Sequence, residues 1–232
     1  MNKLSICLFA FLLFLLLAYP TLTANDHSEK PAEDLTSEIN KNAEYRRLYD
    51  EMQLNNIVSY KAFEQAMEGY KKIHPKKEIL TLIDYSKPST EERLYIFDLK
   101  QKKKLYTSVV AHGKNSGENY ATSFSNKSGS LQSSLGFFLT EGTYQGRNGY
   151  SLILNGLEKN INCKAKSRAI VMHGADYCSA SMAKKAKRLG RSWGCPAIPR
   201  NVNKEIIDAI KGGSLMYIFA DDEDYLKQSS IL

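Results

Sequence analysis

Two residues able to do covalent chemistry together stand 22 positions apart (195 minus 173) in the second half of the chain. His173 ends an apolar run, and Cys195 follows Gly194 in a glycine-containing turn. A thiol is a poor nucleophile until it loses its proton, which a nearby imidazole can accept. The pair is therefore a candidate for thiol catalysis, with Cys195 as the nucleophile and His173 as the base.

The residues around the cysteine could complete such a site. Gly194 lets the backbone turn sharply just before the sulfur, and the amides of Trp193, Gly194 and Cys195 could face a developing oxyanion. Ser192 could hydrogen-bond the imidazole or the turn. A carbonyl group near Gly174 could orient the histidine ring.

Other interpretations fit the same residues. A lone cysteine is most often a small buried apolar side chain, and a lone histidine is most often structural. His173 could instead join Cys163, Cys178 and Cys195 in a zinc site, although no pair of these cysteines has the C-x2-C spacing. A papain-like protease is disfavoured because its cysteine precedes its histidine.

The sequence around these residues resembles that of a known family. The pair His173-Gly174, followed by the segment Ser192–Cys195, resembles the H-G…S-x-G-C signature of the murein L,D-transpeptidase catalytic-domain family (YkuD-like). The segment Ser133–Phe138 resembles that family's T-P-x-G-x-F strand start. The resemblance covers about residues 80–220.

The resemblance implies a β-sandwich with a cysteine nucleophile and without metal or cofactor. Members of the family cut a peptidoglycan stem tetrapeptide before its terminal D-residue, form a thioester, and pass the acyl group to an amine or to water. Carried over by position, Cys195 is the nucleophile, His173 is the base, and Ser192 and Gly194 belong to the catalytic site.

The chain departs from the common pattern at two positions. Trp193 replaces a histidine, and Ala197 replaces an arginine or asparagine two residues after the cysteine. Contacts to the leaving group or the acceptor are therefore expected to differ, and Trp193, Gly174 and Arg191 are the substrate-binding candidates beside the cysteine. An L,D-carboxypeptidase that uses water, or a non-catalytic wall-binding module, stays open as an alternative.

A long loop could cover the site. Residues 112–134 are rich in Gly, Ser, Asn and Lys, and long ordered loops are usually functional or mobile. His112 opens this loop and is either a surface histidine in a turn or, with Tyr120, a contact to the stem peptide.

The N-terminus has the features of an export signal. Lys3 precedes the apolar run Leu4–Ala18, and small residues suited to cleavage end at Ala24. The run is shorter than the roughly 20 residues that span a bilayer. We therefore expect a cleaved signal peptide at 1–24 and a protein of the periplasm or cell envelope. The alternative is that residues 1–24 are retained as a membrane anchor, which would then be the protein's only expected contact with the membrane.

Export also changes how the cysteines are interpreted. Loss of residues 1–24 leaves Cys163, Cys178 and Cys195 in an oxidising compartment, which favours one pair and one free thiol. Because catalysis requires a free Cys195, the sequence predicts a Cys163–Cys178 disulfide, with two independent buried thiols as the alternative.

The pattern of apolar residues divides the chain into a helical segment and a strand-rich domain. We expect a flexible linker at 25–37, a helical N-terminal segment at 38–77, a catalytic domain at 78–221 and a C-terminal tail at 222–232. Within the domain, many strands, few helices and no βαβ rhythm predict a mostly β fold. The predicted strands lie at 79–83, 94–98, 105–110, 137–139, 150–154, 169–173 and 215–220, and the predicted helices at about 39–54, 59–73, 179–189 and 203–211.

Composition and charge exclude several classes. With 43% hydrophobic and 25% charged residues, the chain is neither disordered nor fibrous. Its formal charge of +7 comes from scattered lysines, so an exported protein of this kind is not expected to bind nucleic acid. The peptidoglycan stem peptide is the expected partner, and the sequence leaves the oligomeric state open.

Overall fold

The computed structural model describes residues 32–232. The expected signal peptide and residues 25–31 of the expected linker lie outside the described residues. The helices are α1 (Ala32–Glu51), α2 (Tyr60–Ile73), α3 (Ala180–Ala186), α4 (Asn203–Ile210) and α5 (Glu223–Gln228). The strands are β1 (Ile79–Asp84), β2 (Leu94–Asp98), β3 (Lys103–Ser108), β4 (Gly136–Gly146), β5 (Gly149–Gly156), β6 (Val171–Ala175), β7 (Ala197–Pro199) and β8 (Leu215–Phe219).

The strands form one hydrogen-bonded sheet in the order β3-β2-β1-β8-β4-β5-β6-β7. Most neighbours are antiparallel, whereas β1 pairs parallel with β8 and β6 pairs parallel with β7. All five residues of β8 are buried, as expected for a central strand. The mostly β fold class with an N-terminal helical segment is confirmed.

The sheet curls until its two ends meet. Ala111, which follows the edge strand β3, forms a bridge with Ala197 in the opposite edge strand β7. Gly113 likewise bridges Ser192. The backbone after β3 therefore lies directly against the segment that carries Cys195.

The N-terminal helices belong to the same core as the sheet. Helix α2 begins after Ser59, whose hydroxyl oxygen accepts a hydrogen bond from the amide of Ala62, and it ends at His74 in a left-handed conformation before Pro75. Its buried face packs on the sheet as part of one continuous apolar cluster. The helix backbone lies close to the sheet at Gly69, where an added Cβ would lie 2.1 Å from the ring of Phe137.

Several element boundaries differ from the sequence prediction. Helix α1 begins at Ala32, so residues 32–37 of the expected linker are helical; their polar composition carries no apolar periodicity to reveal a helix. Helix α3 ends at Ala186 with Lys187 in the left-handed region, before the expected stop at Gly190.

The C-terminal tail is also ordered. The Asp222 side chain caps α5 by accepting a hydrogen bond from the amide of Tyr225 at 2.8 Å. Ser229 then donates a hydrogen bond to the buried carboxylate of Glu158 at 2.5 Å, which fixes the tail on the domain. Within residues 32–232, no helix combines the length and apolar character needed to cross a bilayer.

Candidate active site

His173 is held in the middle of β6, between two neighbouring strands. It pairs with Ser151 in β5 and with Ala197 in β7, and only 4% of the residue is exposed. Its ring Nδ1 lies 3.1 Å from the carbonyl oxygen of Gly174, so Nδ1 carries the proton and donates it. The second ring nitrogen, Nε2, is therefore the one with a free lone pair.

The surroundings of His173 favour its neutral form. Burial lowers the pKa of the imidazole most, the hydrogen bond to Gly174 opposes this, and the positive charge of Arg200 lowers the pKa further. The direction of the shift is downward, so at neutral pH the ring can accept a proton.

Cys195 is a buried thiol beside the start of β6. Its Sγ accepts a hydrogen bond from the amide of Val171 at 3.5 Å and donates one to the carbonyl oxygen of Ala169 at 3.6 Å. Burial raises the pKa of this thiol, while the Val171 amide and the charge of Arg168 counteract the rise. In the structure as it stands, Cys195 is a protonated thiol.

His173 and Cys195 line one cavity of about 410 Å³. Among the described residues no hydrogen bond joins the imidazole to the thiol, whose proton points instead to Ala169. Hydrogen bonds between catalytic groups are often long without substrate and tighten when it binds. The cavity thus brings together an uncharged thiol and an uncharged imidazole, with no hydrogen bond between them in the described structure.

The turn before the cysteine is fixed by the side chain of Ser192. Its hydroxyl donates to the carbonyl oxygen of Cys195 at 2.6 Å and accepts from the amide of Gly194 at 3.0 Å. Ser192 therefore bonds the turn and not the imidazole. Gly194 has φ +123°, and an added Cβ would lie 2.7 Å from the carbonyl oxygen of Gln132, so only glycine fits.

The same hydrogen bonds narrow the choice of oxyanion donors. The Gly194 amide is already bound by Ser192, whereas within the described part of the chain the amides of Trp193 and Cys195 have no acceptor. These two amides are the ones free to bind a developing oxyanion.

Two of the substrate-binding candidates named from the sequence line the cavity. Trp193 is 73% exposed and Arg191 stands beside it in the cavity wall. The Arg191 guanidinium donates to the carbonyl oxygens of Lys114 (3.1 Å) and Gly117 (3.0 Å) and pairs with the carboxylate of Glu118 (2.7 Å). Arg191 thus also fixes the start of the long loop.

Gly174 and Tyr120 do not line this cavity. Gly174 follows His173 on β6 and faces the other side of the sheet, where an added Cβ would lie 3.0 Å from Asn203. Its contribution is the carbonyl oxygen that orients the His173 ring. Tyr120 is half exposed and borders a separate hollow beside Tyr85.

His112 is a buried histidine and not a surface one, and it does not line the cavity. Only 1% of it is exposed, its Nδ1 accepts a hydrogen bond from Arg93 at 2.8 Å, and its ring meets Tyr85 edge to face. Burial, helped by the Arg93 charge, lowers the pKa of His112 to about 4. Its link to the site is the carbonyl oxygen, which accepts a hydrogen bond from the Ser192 amide at 2.9 Å.

In the structure Cys163 and Cys178 are free thiols and do not form the predicted disulfide. Cys163 is exposed and accepts a hydrogen bond from Asn126, whereas Cys178 is buried in a small cluster with Leu189 and other residues. Burial raises the pKa of Cys178 to about 12. Within the described residues no three His, Cys, Asp or Glu side chains are grouped to bind a metal, so the alternative zinc set is not assembled.

Several residues of the cavity wall could not be predicted from the sequence. Arg168 lies between the last turn before β6 and the long loop, and Tyr144, Arg147 and Asn148 reach the cavity from the β4–β5 hairpin. None of these positions belongs to a recognisable motif. The hairpin residues become neighbours of Cys195 through the pairing of β5 with β6. Arg168 is placed by its hydrogen bonds to the long loop. Sequence spacing reveals neither set of contacts.

The family model of the L,D-transpeptidase catalytic domain matches residues 54–219. No curated protein is significantly similar in sequence. Similar solved structures include an L,D-transpeptidase from Mycobacterium smegmatis, with 11% identity, a TM-score of 0.39, and coverage of 62% of this chain and 59% of that one. Another is an L,D-transpeptidase (Yku) from Stackebrandtia nassauensis, with 12% identity, a TM-score of 0.36 and coverage of 77% of both chains.

The chain spans about three fifths of the length of the first of these structures, and likeness at this level carries no argument about activity. The family model carries the assignment, since it covers most of the chain, from just before α2 to the end of β8. This chain therefore belongs to the L,D-transpeptidase catalytic domain family.

Proposed function

We propose that this protein is an exported L,D-transpeptidase, which transfers an acyl group between peptidoglycan stem peptides through a thioester on Cys195. Family membership supports an enzyme that acts on peptidoglycan. The observation that carries the assignment of residues is the single cavity lined by the Cys195 thiol and by a buried, neutral His173 with its ring fixed by Gly174.

In the first half-reaction, Cys195 Sγ attacks the carbonyl carbon that precedes the terminal D-residue of a tetrapeptide stem. The thiol proton passes to Nε2 of His173, and the resulting oxyanion faces the amides of Trp193 and Cys195. The C–N bond then breaks, the leaving amine takes the proton from His173, and the acyl group remains as a thioester.

In the second half-reaction, an amine of another stem peptide attacks the thioester carbonyl. His173 removes the proton of that amine, the C–S bond breaks, and the proton returns to the sulfur. The products are a new amide bond and the regenerated thiol. With water as the acceptor the same steps release a free tripeptide, which is the carboxypeptidase alternative.

The charge of the cavity suits an anionic substrate. Three arginines line it, at positions 147, 168 and 191, and none of the described residues in its wall is Asp or Glu. Stem peptides carry free carboxylates, which are attracted to a surface lined by arginines. Each carboxylate can accept paired hydrogen bonds from a guanidinium. The three arginines therefore support a stem peptide as the substrate.

The direct test is incubation of the mature protein with purified tetrapeptide muropeptides, with and without an amine acceptor. Mass spectrometry should find a cross-linked or amine-exchanged product that has lost the terminal residue. Cys195→Ala should abolish it, and the matched variant Cys163→Ala, which removes an exposed thiol away from the cavity, should not. Full turnover by Cys195→Ala would refute the proposal.

A second measurement tests the activated thiol without turnover. A carbapenem, whose strained lactam can acylate a reactive thiol, should add its mass to Cys195 in the intact protein and should fail to add it in Cys195→Ala. Location in the envelope is checked separately, by fractionating cells and sequencing the N-terminus of the mature protein.

A further inference from the structure

Arg168 is a cation without an acidic partner in the described structure. Its two terminal nitrogens donate to the carbonyl oxygens of Ser125 (2.7 Å) and Gln132 (2.7 Å), and to the hydroxyls of Ser134 (2.6 Å) and Ser130 (3.2 Å). All four acceptors are neutral, so they fix the guanidinium in place without cancelling its charge. Arg168 therefore presents a full, rigidly held positive charge in a half-buried position.

This charge lies beside the turn at residues 192–195, which carries Cys195 and is called the nucleophile turn below. Arg168 and Cys195 line the same cavity, and a Cβ added to Gly194 would lie 3.3 Å from Nη2 of Arg168. The long loop contacts the turn as well, since the Ser133 hydroxyl donates to the carbonyl oxygen of Gly194 at 3.1 Å. Arg168, the loop at 125–134 and the turn are thus one hydrogen-bonded unit.

We propose that Arg168 is a positioning residue, which stabilises the thiolate of Cys195 electrostatically and holds the loop at 125–134 against the nucleophile turn. The inference rests on the proposed role of Cys195 and assigns the cation that supports it. An opposite charge within a few ångströms favours the charged form of a titrating group, and more so when both are shielded from water.

The other charged and titratable groups near Cys195 do not supply this charge. His173 is neutral, and burial raises the pKa of both Tyr177 and Tyr85, so neither is ionised at neutral pH. Cys178 is likewise a neutral thiol. Of the two other arginines in the wall, Arg191 is paired with Glu118, and position 147 is exposed to solvent on the hairpin.

The thiolate can be followed without any turnover, by the pH dependence of Cys195 alkylation with iodoacetamide. The background variant Cys163→Ser removes the exposed thiol, and Cys178 is buried. In that background Arg168→Gln should raise the apparent pKa of Cys195 by about one unit or more, and so lower its alkylation rate at neutral pH about tenfold. Lys166→Gln is the matched control. It removes a positive charge from the same segment, but the Lys166 charge pairs with Glu141 and not with the nucleophile turn. It should leave the profile unchanged.

A second pair of variants keeps the test valid if Arg168→Gln does not fold. Ser130→Asp places a carboxylate beside Nη2 of Arg168, and Ser130→Asn is its neutral counterpart. The aspartate should raise the apparent pKa of Cys195 and the asparagine should not. An unchanged alkylation profile in Arg168→Gln or Ser130→Asp, with only the melting temperature altered, would overturn the proposal. Muropeptide turnover by the wild type tests the proposed function separately.

Discussion

The imidazole of His173 is buried and, among the described residues, has no carboxylate partner, which sets the pH at which it can act. Its lowered pKa means that the ring is still an unprotonated base somewhat below the ordinary histidine value of about 6.5. We therefore expect kcat/KM to fall only when the pH drops below about 6.5, as His173 becomes protonated.

A pH–rate profile of the tetrapeptide reaction checks this expectation. Arg200→Gln should move the acid limb to higher pH, because the Arg200 charge is one cause of the lowered pKa. An acid limb centred above pH 7 in the wild type would contradict the assignment of a buried, neutral base.

The residue at the tip of the β4–β5 hairpin offers a second prediction, on substrate recognition. Arg147 lines the cavity, is exposed, and among the described residues forms no ion pair, so its charge is available to a substrate carboxylate. Arg147→Ala should raise KM severalfold and change kcat little, because it removes binding and not chemistry. The control is Arg47→Ala on α1, which also removes an exposed arginine. Equal KM values in the two variants would argue against an anion-binding role.

Individual residues were predictable where a motif names them and not where tertiary contacts place them. The H-G…S-x-G-C pattern led to His173 and Cys195, which the structure places in one cavity. The same pattern could not place Arg168, whose contacts lie 34 to 43 positions away in the chain. For the same reason the buried pairing of His112 with Arg93 was not foreseen.

At the scale of elements, the turn that carries Cys195 depends on one backbone angle, the φ of Gly194. Gly194→Ala would force a side chain into φ +123° and against the carbonyl oxygen of Gln132. We expect a loss of about 1–3 kcal/mol in stability together with loss of Cys195 reactivity. Gly142→Ala in β4 is the matched control, since an added Cβ there meets nothing within 4 Å and the backbone angle is ordinary.

Urea unfolding and carbapenem labelling measure the two effects of this substitution. Gly142→Ala should match the wild type in both stability and labelling rate. If Gly194→Ala matched the wild type in labelling rate, the shape of the turn would not matter for reactivity.

The elements themselves were predictable where their apolar pattern is long. The strands of the central sheet contain near-continuous runs of large apolar residues, and the β2–β3 hairpin follows from two such runs around a lysine-rich turn. Strand β7 was missed because its three residues are too few to show a period, and α5 because its capping residue lies in a polar tail. Both are held by contacts with distant parts of the chain.

On the scale of the whole molecule, the N-terminal helices are part of the domain and not an appendage. Helix α2 packs on the sheet through Phe63 and Met67, and Tyr217 in β8 donates a hydrogen bond to Gln65 at 2.8 Å. The family model also begins before this helix. Removing residues 1–77 should therefore expose the apolar face of the sheet and prevent cooperative unfolding.

Circular dichroism during thermal unfolding distinguishes a domain that includes α2 from one that begins after it. A chain that lacks only residues 1–31 is the control and should unfold in one cooperative transition. A cooperative transition of similar midpoint in the shorter chain would show that the catalytic domain begins after α2, near residue 78 as the sequence analysis expected.

The order of strands in the sheet also governs when the molecule can assemble. Strand β8 is the last strand in the chain, yet it lies between β1 and β4 at the centre of the sheet. Its partner Leu80 is 135 positions from Leu215 (215 minus 80), and such distant pairings form slowly. While the chain is being synthesised, the sheet stays open until the residues of β8 emerge. Cys195 is therefore synthesised before the central strand that completes the sheet, so its thiol is buried only after β8 has joined the fold.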